Sequence, residues 1–599
     1  MRSILRMAIL LCIAAALCCG SGDRPLNVLV IGIDTLRSDH LGCYGYGRDT
    51  SPAIDGLAGQ GVLFENTVSQ SPWTLPSFGT VFTSLYPNQH GAMTIVTRMR
   101  SSIPTLATVL HERDYATGAV VNASVLNPEF GMDLGFDFYD PTPPEGRRAD
   151  EVTNDVLEWI DLNKSRPFLM FAHYYDPHEP YAPPPPYDER FDPDYTGRIG
   201  NSFVLHDHFP GVVSTQFDDL RALTPQDWDH IRALYDGEIA FTDAAVGRLL
   251  KGLEDLGLRD NTLIVLLSDH GEEFFEHEGF GHGHSLYGEV IRVPLMFSLP
   301  GTIGRGQVVS RQVRLVDVMP TILETLGIET DLHLEGTSLL PLMTGRARVA
   351  SYPGTLFTPE VAYTEGLLHG PEKKGITSTP WKLVYDFRSR DEMLFNLDED
   401  PAEQRNLLES RPEALSLLEG MLFTTIFSTS KSWHIEMAGS DEGNTFDATV
   451  KVGDEYSIGR IFLYKVIDSD GRIVDVDPPP VINEAGSALR IKGLRTRGTI
   501  RLAVGATGPA ALPVRFDLRI DGTAATQRTF IGESLRNPTE MPFAAKWKRV
   551  TTESPGGPTP RPDRPYFLVW HSVPGYTGDT AVKMDDRTRR ELRALGYIQ

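Results

Sequence analysis

The sequence predicts an α/β fold: a large, mainly parallel sheet with helices on both faces, followed by a smaller β-rich region. Three observations carry this reading. Apolar runs recur as far as Leu299, segments with helical spacing lie between them, and short β-branched stretches take over after about residue 430.

The first run is Leu26-Asn-Val-Leu-Val-Ile-Gly-Ile-Asp34, and similar ones span Thr117 to Val121, Pro167 to Ala172, Thr262 to Leu267 and Val293 to Leu299. Runs of this kind read as strands buried on both faces. Ala149 to Leu162 has Val152, Val156, Trp159 and Ile160 on one helical face. A longer helix opens at Thr224-Pro225, an N-cap followed by proline at the first helical position, and continues through Ile231, Leu234, Ile239, Val246, Leu249 and Leu253. Further on, Thr449 to Val452 and Ile458 to Ile467 are β-branched. Val514, Phe516, Leu518 and Ile520 alternate with polar residues before Asp521-Gly522, a strand-then-turn signal. Residues 551–566 (TTESPGGPTPRPDRPY) read as a linker, and Asp585 to Gly596 as a short closing helix.

Of the 599 residues 41% are hydrophobic and 23% charged, the balance of a folded, soluble protein. The net charge of −24 repels phosphate backbones, so nucleic-acid binding is not expected. Met1 to Gly22 places Arg2 and Arg6 before the apolar run Met7 to Leu17, which is too short to span a bilayer and reads as a secretory signal. Cys18-Cys19-Gly20-Ser21-Gly22 resembles the cleavage region of bacterial lipoproteins. The expected location is therefore the periplasm or cell envelope, with a lipid anchor on Cys19 or Cys18. Of the four cysteines, at 12, 18, 19 and 43, three fall in this leader, so no disulfide framework is expected.

In open α/β sheets, ligands bind at the carboxyl ends of the strands. Asp34 stands at one such end, Asp269-His270 at another, and Asp176 and His178 follow a third in HYYDPHEPY. A lone strand-end carboxylate is commonly a helix cap. Three strand ends that each deliver Asp or His instead suggest a hard divalent cation held mainly by oxygen, with one imidazole. The polar stretch Glu272, Glu273, Glu276, His277, Glu278, His282 and His284 reads, member by member, as a solvated loop, and His90 and Cys43 read as structural.

Ser71-Pro-Trp-Thr74-Leu-Pro-Ser-Phe-Gly-Thr-Val-Phe-Thr-Ser-Leu-Tyr-Pro-Asn-Gln-His90-Gly resembles the signature of the sulfatases, in the alkaline-phosphatase-like superfamily. Gly32 to Gly45 resembles that family's N-terminal metal strand, and Asp269-His270-Gly271 its second metal pair. Tyr287 to Pro294 resembles its downstream strand, and Leu394 to Pro401 with Asn406-Leu407 its C-terminal subdomain. The resemblance covers about residues 26–425 and implies an α/β/α sandwich on a large mixed, mainly parallel sheet. The organisation expected is a signal in 1–22, a catalytic domain with its small C-terminal subdomain in 23–430, a β-rich accessory domain in 431–535, and a linker with a closing helix in 536–599.

The resemblance also implies roles. One divalent ion (Ca, Mn, Mg or Zn) would be held by Asp34, Asp269, His270 and the Thr74 oxygen, with Thr74 as nucleophile. His178, with His284 or His282, would supply the proton donor and further anion contacts. Asp176 would contact substrate. Asn122 falls near a lysine-bearing motif of the family and reads either as a substrate contact or as a side-chain cap. Three positions depart from the pattern. Sulfatases place at Thr74 a cysteine or serine that is oxidised to formylglycine, which threonine cannot yield, so no formylglycine is expected. The supporting arginine is Phe78, and the second aspartate after Asp34 is Thr35.

A threonine alkoxide is freed by water attacking the central atom, the ordinary course for a phosphorylated intermediate. Thr74 therefore also resembles the nucleophiles of lipoteichoic-acid synthases and nucleotide pyrophosphatases. The expected function is hydrolysis of a sulfate ester or a phosphate mono- or diester, on an anionic substrate such as a glycan or lipid headgroup. The alternatives are an envelope phosphotransferase and a non-catalytic glycan-binding lipoprotein.

Overall fold

The structure, a computed structural model, describes residues 25–143, 146–208, 218–345, 361–389, 391–410 and 412–429, the strand-bearing segments between 432 and 524, the strand at 566–572, and Val582. The expected signal and lipidation site lie outside the described residues. Among the described residues no helix is long and apolar enough to cross a membrane.

Eleven strands precede residue 315: β1 Asn27–Ile33, β2 Val62–Val68, β3 Ala116–Val120, β4 Phe138–Asp140, β5 Phe168–Tyr174, β6 Thr262–Leu267, β7 Glu273–Phe274, β8 Phe280–Gly281, β9 Arg292–Ser298, β10 Gln307–Val309 and β11 Val313–Arg314. Nine of them form one sheet in the order β10-β2-β9-β6-β1-β5-β3-β4, with β11 also beside β2, while β7 and β8 pair as a separate ribbon. Neighbours are parallel except at β9, which runs against both β6 and β2. The expected mixed, mainly parallel sheet is therefore present.

The apolar runs are continuous because both faces of the sheet are covered. Val28 and Val30, with Leu169, Phe171, Leu263 and Val265, belong to one core, which the helix Thr74–Thr83 enters through Leu75, Phe78, Val81 and Phe82. Leu29, Ile31 and Ile33, with Met170, Ala172, Ile264 and Leu266, belong to the other. That second core receives Val152, Val156 and Ile160 from the helix Ala149–Asn163, and Ile231, Leu234, Ile239, Val246, Leu249 and Leu253 from Pro225–Asp255. The long helix starts where its cap signal places it, since the Thr224 side chain accepts a hydrogen bond from the Asp227 N–H.

Register assembles the site. Gly32 pairs with Leu267 on one side and with His173 on the other, so Asp34 and Asp269, each two residues further on, emerge together at the carboxyl edge. Gly32 itself is fixed by packing: a Cβ there would lie 2.8 Å from the Phe78 ring.

A four-stranded antiparallel sheet (Ala362–Thr364, Lys373–Ser378, Trp381–Asp386, Glu392–Asn396) carries the helix Pro412–Thr429. Leu418, Leu422 and Ile426 of that helix pack on Tyr363, Ile376, Leu383 and Leu394. Beyond residue 431 the strands form two five-stranded antiparallel sheets, as a β-rich accessory region requires. Asp521-Gly522 makes the expected hairpin turn between Val514–Ile520 and Thr523–Ala524, both residues having positive φ (49° and 77°). One expectation is corrected. The β-rich region does not stop at 535, because the strand Tyr566–Ser572 pairs antiparallel with Ser432–Ala438. The closing helix expected at 585–596 lies outside the described residues.

Candidate active site

Asp34, Thr74, Asp269 and His270 are all fully buried. One ligand atom from each of Asp34, Asp269 and His270 lies within 4.8 Å of the others. Thr74, the first residue of its helix, directs Oγ1 to 3.4 Å from both Asp34 carboxylate oxygens and 3.2 Å from His270 Nε2. The main chain fixes His270: its Nδ1 lies 3.0 Å from the Gly271 carbonyl and donates to it, which leaves the lone pair on Nε2. That lone pair faces Asp34 Oδ1 at 3.5 Å and Asp269 Oδ2 at 3.2 Å.

This arrangement is repulsive without a cation. Burial, and then the charge of Glu272, raises the Asp34 carboxyl well above its usual range. Burial, and then Asp34, does the same to Asp269, while burial and then His282 lower His270. Asp269 Oδ2 is buried and makes no hydrogen bond. Two carboxylates and a neutral imidazole converging on one point are the donor set of a divalent cation, and these residues fit one.

The surroundings hold these groups in place. His173, which follows the third strand run, is not among the expected site residues, yet its Nε2 lies 3.3 Å from Asp34 Oδ2. Its Nδ1 accepts from the Asn122 N–H, which leaves the proton on Nε2, toward the carboxylate. The signal in the sequence is its place at the end of that run, and the fold adds the register that sets it opposite Gly32. Thr35 sits in the left-handed region (φ 53°), strained for a β-branched residue, with Oγ1 buried and unpartnered. Phe78, where the family pattern has arginine, packs edge-on against His173 at 5.1 Å between ring centres.

His178 donates Nδ1–H to the Glu179 carbonyl at 2.6 Å, leaving Nε2 free of that proton, and burial lowers it to about 3. Its ring stands 4.8 Å from that of His282, which stands 4.3 Å from that of His270. His282 Nδ1 is held by Glu272 Oε1 at 2.9 Å. Of the two histidines expected here, His282 is the one beside the cluster. His284 has Nε2 3.1 Å from Glu273 Oε2 and Nδ1 3.2 Å from the His282 carbonyl, and so braces its own loop.

Asn122 makes the bonds of a side-chain cap, donating to the Arg147 carbonyl at 2.5 Å and accepting from the Arg147 N–H at 2.8 Å, and it also lines the cavity beside His178. One further expectation changes. The polar stretch read as solvated is partly core, because Glu272 and Glu273 are fully buried, partnered by His282, His284 and Ser285. Asp176 is not one of the converging ligands, and its Oδ1 accepts from the Ala149 N–H that opens a helix. His90 is buried, with Nε2 3.1 Å from the Pro76 carbonyl, and Cys43 is half-buried and free, both as expected of structural residues.

Residues 26–328 match the family model described as Sulfatase, and residues 276–422 match N-sulphoglucosamine sulphohydrolase, C-terminal. N-acetylglucosamine-6-O-sulfatase of Bacteroides thetaiotaomicron is 22% identical over 482 residues, covering 66% of this chain and 86% of that protein. Arylsulfatase K of Homo sapiens is 30% identical over 302 residues, covering 46% of this chain and 54% of that one. Among solved structures, BT4656 in complex with its substrate D-glucosamine-2-N,6-O-disulfate aligns with a TM-score of 0.58 at 19% identity, over 68% of this chain and 98% of its own. The phosphonate monoester hydrolase of Agrobacterium radiobacter aligns at 0.53 and 22% identity, over 67% and 95%.

Proposed function

The chain belongs to the sulfatase family, and on that premise we propose that it is a metal-dependent hydrolase of sulfate esters on anionic glycans, with Thr74 as its nucleophile. The observation that carries the reading is the placement of Thr74 Oγ1, between both Asp34 oxygens and His270 Nε2. Asp34, Asp269, His270 and Thr74 would hold the divalent ion. When bound, that ion lowers the hydroxyl's pKa and offsets charge on the transferring group.

The chain's own residues do the rest. Asp34 and His270 fix the direction from which Thr74 Oγ1 attacks sulfur as the ester's alcohol departs. His178 and His282, whose Nδ1 atoms are held by the Glu179 carbonyl and by Glu272, would use Nε2 to hold the proton that leaves Thr74 and to pass it to the departing alkoxide. Water then attacks sulfur, sulfate leaves, and Thr74 is restored. The helix that opens at Thr74 turns its free N–H groups toward the anion.

One observation favours a second reading. Thr74 has no aldehyde hydrate through which to eliminate sulfate, so the same site suits phosphate mono- or diesters, whose covalent intermediates water opens at phosphorus. Turnover of paired aryl sulfate, phosphate monoester and phosphodiester substrates by the metal-loaded protein separates the two. The sulfate ester should be the fastest of the three. A phosphoester that is faster by tenfold or so would move the assignment to phosphorus, and no turnover of any of the three would sink the hydrolase reading.

Export with a lipid on Cys19 or Cys18 belongs to the same proposal, from the leader's basic, apolar and Cys-Cys-Gly segments. Expressing cells fed a palmitate analogue should label the envelope-bound protein, and a cytosolic, unlabelled, full-length product would refute it.

A further inference from the structure

Beside His178 opens a cavity of about 880 Å³, large enough for a ligand well beyond one sulfate group. Asn122, Asn154, Arg148, Asp176 and Glu238 share its lining with His178. The two acids are arranged alike. Asp176 Oδ1 is pinned by the Ala149 N–H at 3.1 Å, and Glu238 Oε1 by the Ala182 N–H at 2.8 Å. The second oxygen of each, Asp176 Oδ2 and Glu238 Oε2, is buried and has no hydrogen-bond partner. Glu238 projects from the middle of the long helix Pro225–Asp255 and is only 3% exposed.

A buried acceptor left unmet costs roughly 1–3 kcal/mol, and both acids belong to residues that line the cavity, so a ligand's donors would lower that cost. The metal cluster does not use them, and neither carboxyl has an ion pair among the described residues. Burial raises Asp176 to about 7, and burial with repulsion from Asp176 raises Glu238 to about 8. Near neutral pH the pair therefore carries less than its full charge and can both accept from and donate to hydroxyls. Vicinal hydroxyl groups of a pyranose ring match that capacity, whereas a flat aryl group offers nothing to either acid.

We propose that Asp176 and Glu238 form the specificity wall of the substrate cavity, reading the hydroxyl groups of the sugar whose ester reaches Thr74. This rests on the hydrolase reading, from which its test can be separated. The probes are glucosamine, N-acetylglucosamine and galactose, each as sulfate ester and as free sugar, with 4-nitrophenyl sulfate as the hydroxyl-free comparison. Direct binding is measured by saturation-transfer NMR and turnover by sulfate release, for wild type, Asp176→Ala, Glu238→Ala and the double variant. Binding of at least one free sugar is expected, weakened about tenfold or more in each variant. The ratio of kcat/KM on the sugar ester to that on the aryl ester should fall by at least the same factor, mostly through KM. Equal sugar binding in variants and wild type overturns the proposal, as does an equal loss on both ester types or a wild type that binds none of the sugars. A wild type that binds sugar through these residues but turns over no ester would sink the hydrolase reading and leave the wall standing.

Discussion

Thr74→Ala should lower turnover by about three orders of magnitude or more while the protein keeps its metal. The loss is large because Oγ1 is the attacking atom, and what remains in such a site is residual catalysis by binding and electrostatics. The metal should stay because Asp34, Asp269 and His270 are untouched, and these three already converge within 4.8 Å. Thr74→Ser keeps the hydroxyl at the same helix start and should retain much of the activity. Steady-state rates beside metal content by mass spectrometry check all three statements. A Thr74→Ala protein working near the wild-type rate would mean that water attacks sulfur directly.

Removing both carboxylates, by Asp34→Asn with Asp269→Asn, should empty the site and abolish turnover. A hard cation is held poorly by neutral amides and one imidazole. The same pair of variants predicts a reversal in stability. Chelation should lower the melting temperature of wild type, since a ligand at a thousand times its Kd contributes about 4 kcal/mol to the folded state. Chelation should leave the double variant unmoved. Without metal, the variant should melt no lower than wild type, because wild type then buries two opposed carboxyls, each pushed up by burial. Differential scanning fluorimetry with and without chelator reads both effects, and a double variant that still binds metal and responds to chelator would show that the ligands lie elsewhere.

The central strands were legible because a strand covered on both faces leaves a long apolar run. β2 was not, because polar Glu65 and Asn66 fall where its pairing with β9 shifts register between Phe64 and Thr67. The reversed direction of β9 leaves no mark on composition. Asp34, Asp269 and His270 could be read because each sits at the end of a strand, where local pattern names a position, and Thr74 because the stretch Ser71 to Gly91 resembles a family signature. His173 could not, since a lone histidine closing an apolar run belongs to no motif and matters only through its neighbour in the sheet. Glu272 and Glu273 looked solvated in a stretch rich in acids and histidines, and they are buried because that same stretch supplies His282, His284 and Ser285 as partners. Glu238 was hidden for a related reason. Only packing of its helix against the segment around Ala182 brings it to the cavity that Asp176 lines.

A covalent bond to Thr74 is the centre of the proposed mechanism. Metal-loaded protein mixed with excess ester, quenched in acid within the first turnovers and digested, can be read by peptide mass spectrometry. The prediction is one sulfo group, or one phospho group with a phosphoester, on the peptide carrying Thr74, rising and decaying at rates that match turnover and absent from Thr74→Ala. Sustained turnover with that peptide unmodified at every quench time would contradict it.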